Sequence, residues 1–203
     1  MKLYTHPASQ HVRRVLVVCE ELGLNLETVP VAIEKGQHKS QDFLKMNPAG
    51  QVPVFVEDAM TLCESHAIMK YLVGKVGGSA LYPADEIKRA HIDQWLDWTH
   101  AALNPPVQAI AIHRFAMGDN PDEDFIAENS QNVGSALAAL NTAFETGGSI
   151  SDTDHTLAHI AIATTLSLYE QVGGQNDGAP RVDRWYDTIK KRASFRQSAP
   201  KAA

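Results

Sequence analysis

Pro53 stands directly in front of the apolar run Val54, Phe55 and Val56, closing the stretch Asn47-Pro48-Ala49-Gly50-Gln51-Val52-Pro53. A proline has no N–H to give a sheet ladder. At the mouth of a strand it therefore demands a sharp, fixed turn, one that a cis Val52-Pro53 bond would suit. Such a turn leaves neighbouring main-chain groups free to pair with something outside the sheet. A second turn at Glu57 to Ala59 follows, and Glu64-Ser65 then opens an amphipathic helix. The rest of the chain can be organised around that corner.

Lys2 to Thr5 has the character of a short strand, and from Gln10 the residues Val12, Val15, Leu16, Cys19 and Leu22 recur at helical spacing until Gly23. Asn25 to Ile33 reads as a second strand. Strand, helix, strand implies a parallel pair with a right-handed crossover. A polar loop, Glu34 to Ser40, leads into a short helix around Gln41 to Met46. Val54 to Val56 and Met60 to Leu62 then form a predicted hairpin before a helix from Ser65 to about Lys75. The order is βαβ, then α, then ββα.

Strand signals stop at the glycines Gly74, Gly77 and Gly78. Beyond them the periodicity is helical throughout, with a long helix bent at Pro105-Pro106, a polar break at Gly118 to Asp124, a helix through Ala127 to Phe144, an apolar helix from about Thr156 to Val172, and a last helix carrying Val182, Trp185, Tyr186 and Ile189. The expected architecture is an α/β domain over residues 1–76, a linker over 77–86 and an all-α domain over 87–203. With 203 residues and 44% apolar content the chain can bury a full core in this form. Its net charge of −6 offers no basic surface for nucleic acid or an anionic membrane, and Met1 to Arg14 shows no apolar leader. A cytoplasmic location is the default expectation. Cys19 and Cys63 lie in different elements without metal-ligand spacing, which fits reduced thiols better than a disulfide.

A βαβ-α-ββα order with a proline before the third strand is thioredoxin-like, and here the sequence resembles the cytosolic glutathione transferases. In the first domain the resemblance rests on Leu3-Tyr4, Pro7, Ser9, Arg14 and Val15, on Gly36, His38, Lys39 and Ser40, on Asn47 to Pro53, and on Glu64-Ser65-His66-Ala67-Ile68 with Tyr71-Leu72. In the second it rests on Leu81-Tyr82-Pro83, Arg89-Ala90, Trp95, Trp98 and Arg192-Ala193-Ser194-Phe195. The serine in the first loop and the His-Lys-Ser element are most similar to the phi- and theta-type, serine-using branch, in the style of bacterial members.

The resemblance implies that glutathione is a co-substrate and that Ser9 donates a hydrogen bond to its sulfur. Ser9 precedes the first helix, whose N-terminus favours an anion. A fall in thiol pKa from ~8.5 to ~6.5 would raise the ionised fraction at pH 7 from roughly 3% to roughly three quarters, about 2.7 kcal/mol of differential stabilisation. Ser9 acting only as a helix cap is the plainer alternative. The Val52 main chain before Pro53 would pair with the cysteinyl amide like an added strand, supported by Gln51. Ser65 would hold the γ-glutamyl carboxylate and Glu64 the ammonium, while His38 and Lys39 would reach the glycine carboxylate. No cysteine occupies the Ser9 loop, which argues against disulfide-exchanging branches.

A hydrophobic acceptor is expected between the domains, near Pro7 and Ala8 and the segment with Pro105, Val107, Ile110, His113, Arg114 and Met117. The family implies a homodimer. Arg14 is read as a structural ion-pair former and Tyr4 as a packing residue, although tyrosine activates the thiol in other branches. His155 and His159 have the i, i+4 spacing of a helical metal pair but no third ligand nearby, so no metal is expected. His159 also stands where the family usually has the Asp of a capping box begun here by Thr156. A weaker cap is predicted, with Asp152 or Asp154 as candidate substitutes and a His159→Asp variant more stable near pH 6. Conjugation of glutathione to small hydrophobic electrophiles is the leading expectation. The alternatives are a non-catalytic ligand-binding or interaction protein, or a glutathione-dependent peroxidase or isomerase.

Overall fold

A computed structural model describes residues 1–118 and 120–199. Contacts divide the described residues into two compact units, 1–79 with 193–199, and 80–192. The C-terminal segment thus goes with the first unit, where the hydrophobic pattern alone had grouped it with the helices of residues 87–203.

The first unit is built on four strands, β1 (Lys2–Thr5), β2 (Glu27–Pro30), β3 (Val54–Glu57) and β4 (Met60–Cys63), in the order β2-β1-β3-β4. β1 and β2 are parallel, with Leu3 opposite Thr28. Their crossover is α1 (Gln10–Leu22), ended by Gly23 at φ 65°, where the N–H groups of Gly23 and Leu24 cap the carbonyls of Glu20 and Cys19. β2 is shorter than the predicted Asn25–Ile33. It stops at Pro30, and after one more bond from Val31 N–H to the Thr5 carbonyl the chain turns into two 3-10 turns, Ile33–Lys35 and Gln37–Lys39. α2 (Gln41–Met46) follows, its first turn capped by the Ser40 hydroxyl, which accepts from Phe43 N–H at 3.3 Å.

β3 runs antiparallel to both β1 and β4, with Tyr4 opposite Val54 and Val54 opposite Cys63. Alternation along the strands then sorts the core. Val54 packs with Val31 and Phe43, and Tyr4 meets Phe43 edge-on at 6.1 Å, on the side covered by α2. Phe55 turns to the other face and meets Tyr71 of α3 (Ser65–Lys75) at 5.6 Å, where α1 and α3 pack together. A short last helix, α9 (Ala193–Gln197), also packs on α1. Arg13 Nη2 donates to the Phe195 carbonyl at 3.0 Å with its guanidinium over the Phe195 ring, and the Ser194 hydroxyl donates to Glu21.

The second unit is helical. α4 (Glu86–Trp98) passes through one π-helical turn, Thr99–Leu103, into α5 (Asn104–Met117). The helical hydrogen-bonding pattern thus changes just before Pro105-Pro106, where the sequence predicts an interruption or bend. Neither proline can donate, and the wider turn gives their rings room against the preceding carbonyls. α6 (Glu123–Thr146) starts at Asp122, whose carboxylate accepts from Phe125 N–H at 3.1 Å. α7 (Leu157–Gln171) is buried on nearly every side, and α8 (Pro180–Lys190) presents Val182, Trp185, Tyr186 and Ile189 inward. No helix among the described residues is long and apolar enough to cross a membrane.

Candidate functional site

Register brings the predicted site together. Thr5 lies opposite Pro30, and Tyr4 opposite Val54, itself opposite Cys63. The loop after β1, the loop after β2, the turn before β3 and the start of α3 therefore all leave the same end of the sheet. Those four segments carry Ser9, His38 with Lys39, Gln51 to Pro53, and Glu64 with Ser65.

Ser9 is the N-cap of α1. Its hydroxyl oxygen accepts from Val12 N–H at 3.3 Å, and its extended backbone aims the first turn's free N–H groups into the same loop. The capping role is thus real, yet it engages a lone pair of the oxygen and leaves the hydroxyl proton to donate elsewhere. Tyr4 packs in the core beside Phe43, as a structural residue would.

The Val52-Pro53 bond is cis. Asn47, almost fully buried, organises the turn from inside. Its Nδ2 donates to the Gln51 carbonyl at 2.8 Å and its Oδ1 accepts from Ala49 N–H at 3.1 Å. Among the described residues the Val52 main chain forms no hydrogen bond within the fold, so its N–H and C=O are available as a strand edge. Gly50, at φ 64°, lets the 36–40 loop approach closely: a Cβ there would stand 3.1 Å from the His38 carbonyl. His38 is half-buried, and its Nδ1 is enclosed without a partner among the described residues. Lys39 is exposed.

Glu64 adopts φ 67°, ψ 114°, a conformation that costs a non-glycine residue about 1–3 kcal/mol and that persists only where surrounding structure imposes it. It turns the chain from β4 directly into α3 without using its own carboxylate as a cap, and that carboxylate is exposed. Ser65 is 4% exposed at the first position of α3. Arg14, wholly buried, comes from α1 to within 3.5 Å of the Ser65 hydroxyl. It was expected to be an ion-pair former, and the part it plays beside Ser65 was missed. The available signal was a charged residue within the apolar period of α1, one turn after Gln10.

Their surroundings favour the protonated form of both cysteine thiols. Burial, then Glu20, pushes Cys19 up to about 12, and burial, then Glu64, raises Cys63. Among the described residues no group of three or more His, Cys, Asp or Glu could hold a metal ion. His159 is engaged otherwise. Thr156 N–H donates to its Nδ1 at 3.2 Å and its Nε2 faces the Ser151 carbonyl at 2.9 Å. The histidine therefore fills the place of the missing acid directly, where a weak cap was predicted. Asp152 pairs with Arg181 instead, at 3.2 Å.

The residues expected to meet the acceptor fall in both units. Ala8 is exposed in the first; on α5 Pro105 and Met117 are exposed, His113 and Arg114 half-buried, and Ile110 1% exposed. His113 Nε2 accepts from Asp122 N–H at 2.8 Å, and its ring lies against Phe125. Pro105 also lines a groove of about 650 Å³ with Trp98, Ala102 and Ala136.

A mixed four-stranded sheet flanked by helices, with a cis-proline turn at the strand ends and a helical unit following, defines a thioredoxin-like fold joined to an all-α unit. Residues 1–74 match the family model for the glutathione S-transferase N-terminal domain. Over 208 residues the chain is 32% identical to the probable glutathione S-transferase GSTF2 of Oryza sativa subsp. japonica, covering 98% of this chain and 95% of the rice protein. It is 29% identical to glutathione S-transferase 3 of Zea mays, covering 98% and 92%. The crystal structure of glutathione transferase F2 from Populus trichocarpa superposes with a TM-score of 0.87 at 27% identity, covering 97% of this chain and 96% of that one. The chain belongs to the glutathione S-transferase family.

Proposed function

We propose that the protein binds glutathione at the end of its sheet, ionises the thiol with Ser9 and transfers the sulfur to a small hydrophobic electrophile. The observation that carries this reading is the convergence of four chain segments on one sheet end, with the Ser9 hydroxyl proton left free by its own capping bond. The thiolate gains a hydrogen bond from Ser9 and the field of the α1 N-terminus. With an aryl halide, the sulfur forms a bond to the halogen-bearing carbon, the halide leaves with the bonding pair, and the thiol proton has already passed to solvent.

The open main chain of Val52 pairs with the cysteinyl amide and reads the peptide without reading a side chain, while Gln51 and Pro53 shape that edge. Ser65 and the α3 N-terminus take the γ-glutamyl carboxylate, and the exposed carboxylate of Glu64 takes the ammonium. His38 and Lys39 take the glycine carboxylate at the opposite end of the tripeptide. Ala8, Pro105, Ile110, His113, Arg114 and Met117 are the residues proposed to shape acceptor preference, and the active protein is proposed to be a homodimer.

The test is the rate of glutathione conjugation to an activated aryl chloride by the native protein and by Ser9→Ala. A fall of about 100-fold or more in kcat is expected for loss of a donor to a developing or resident anion. Equal rates would remove the role given to Ser9. Tight binding of glutathione without turnover of any of several electrophiles would leave a binding protein, and turnover of hydroperoxides alone would leave a peroxidase using the same thiolate.

A further inference from the structure

The stretch Lys191-Arg192-Ala193-Ser194-Phe195 takes no part in the substrate site. Lys191 and Arg192 are exposed, whereas Ser194 and Phe195 of α9 turn inward and are 7% and 4% exposed. Polar contacts hold α9 on α1. The Ser194 hydroxyl donates to the Glu21 carboxylate. The Phe195 carbonyl accepts from Arg13 Nη2 at 3.0 Å and from the Ser198 hydroxyl at 3.1 Å, and the Arg13 guanidinium lies 4.0 Å from the centre of the Phe195 ring. α9 has five residues, too few for a helix to persist in water by itself. It is therefore helical because it is docked, and losing the dock presents Ser194 to solvent.

Two basic residues at the third and second positions before a serine, with an apolar residue after it, form the charge pattern by which basophilic serine kinases select substrates. The exposed pair Lys191 and Arg192 offers that charge at all times, while the hydroxyl becomes available only when α9 lifts. What a phosphate would do there follows from the partner of Ser194. Glu21 now receives a hydroxyl proton. A phosphoserine has no such proton to give at neutral pH and carries nearly two negative charges, so it meets the carboxylate with repulsion.

We propose that Ser194 is a phosphorylation site whose modification releases α9 from α1. The co-reactant is ATP, bound by a basophilic serine kinase. Ser194 Oγ bonds to the γ-phosphorus, the bond from that phosphorus to the oxygen bridging the β-phosphate breaks, ADP leaves with the electron pair, and the hydroxyl proton passes to the kinase's base. The proposal is independent of the glutathione reading, because both of its consequences are read on the chain itself.

The test incubates the full chain with the purified catalytic subunit of a cyclic-AMP-dependent protein kinase and magnesium ATP, and locates phosphate by tandem mass spectrometry. Phosphate should enter at Ser194, and a Lys191→Gln/Arg192→Gln variant should slow its entry by at least about tenfold. Should that variant not fold, Lys191→Gln alone should slow it severalfold. Hydrogen exchange of residues 10–22 should then quicken by about 10- to 100-fold in the phosphorylated chain, the factor that like charges a few ångströms apart supply at the effective dielectric of a protein surface. Phosphorylated Glu21→Gln keeps an acceptor but not the charge, and most of that increase should disappear. No phosphate at Ser194 of the native chain, or equal rates without the basic residues, overturns the site. Unchanged exchange after phosphorylation overturns the release, and so does slower exchange, which would mean that Arg13 had turned to the phosphate.

Discussion

Thr156 and His159 complete one turn of hydrogen bonding: the Thr156 N–H donates to His159 Nδ1 at 3.2 Å, and the Thr156 hydroxyl stands 2.8 Å from the same nitrogen. Nδ1 is thereby the acceptor, so the ring's proton sits on Nε2, which donates to the Ser151 carbonyl at 2.9 Å. The ring also stacks on Phe144 and lies against Trp185. This cap works only with the neutral histidine. Burial is the main cause that holds the folded-state pKa down at about 4, against 6.5 unfolded. A depressed folded pKa means stability that is fully present above about pH 6.5 and lost progressively as pH falls toward 4, with an upper bound of about 3 kcal/mol. Chemical denaturation from pH 7.5 to 4.5 should show this slope, and His159→Gln should flatten it. His159→Asp should be less stable than native at both pH 7 and pH 6, since it loses the Ser151 bond and the ring contacts. Greater stability at pH 6 would restore the weak-cap expectation drawn from the sequence.

Ser9 joins two tasks in one hydroxyl, and substitution can separate them. Ser9→Ala should destabilise the fold by about 1 kcal/mol, whereas Ser9→Gly should cost only a few tenths, because glycine is tolerated at an N-cap. Both should lose conjugation to the same degree. Thermal unfolding beside kcat gives the comparison, and activity that followed stability would identify Ser9 as a cap alone.

Asn47 holds the turn from within. Asn47→Ala removes two hydrogen bonds from a buried site and leaves the Gln51 carbonyl without that partner. A loss of about 2 kcal/mol in stability is expected. The KM for glutathione should rise with little change in kcat. An unchanged KM would show that the Val52 edge does not depend on this support.

Gly50 is required twice over, by φ 64° and by the His38 carbonyl standing 3.1 Å from the position of a Cβ. Gly50→Ala should cost about 1–3 kcal/mol. It should also weaken glutathione more than γ-glutamylcysteine, which lacks the glycine that His38 and Lys39 are proposed to hold. Equal weakening would detach that loop from substrate binding.

Much of this molecule was legible because its signals are local. Hydrophobic period separated strands from helices, Gly23 and the prolines marked ends, and Pro53 before Val54 announced the turn. Ser9, Gln51 and Ser65 stood out because turns and helix starts demand few residue types. Less local features were misjudged. β2 was drawn too long because Val31 and Ile33 continued its alternation past Pro30, and His159 was read as a poor cap because its second partner, Ser151, lies outside the helix.

The sequence alone determined the element order, the corner at Val52-Pro53 and the division between an α/β and a helical region, since each follows from backbone chemistry within a few residues. Tertiary structure decided which loops share an end of the sheet, that α9 returns to α1, and that Arg14 is buried beside Ser65. Those outcomes depend on strand register and helix packing across tens of residues. A side chain's neighbours there are set by the whole fold, so the residue's own position in the sequence carries no record of them.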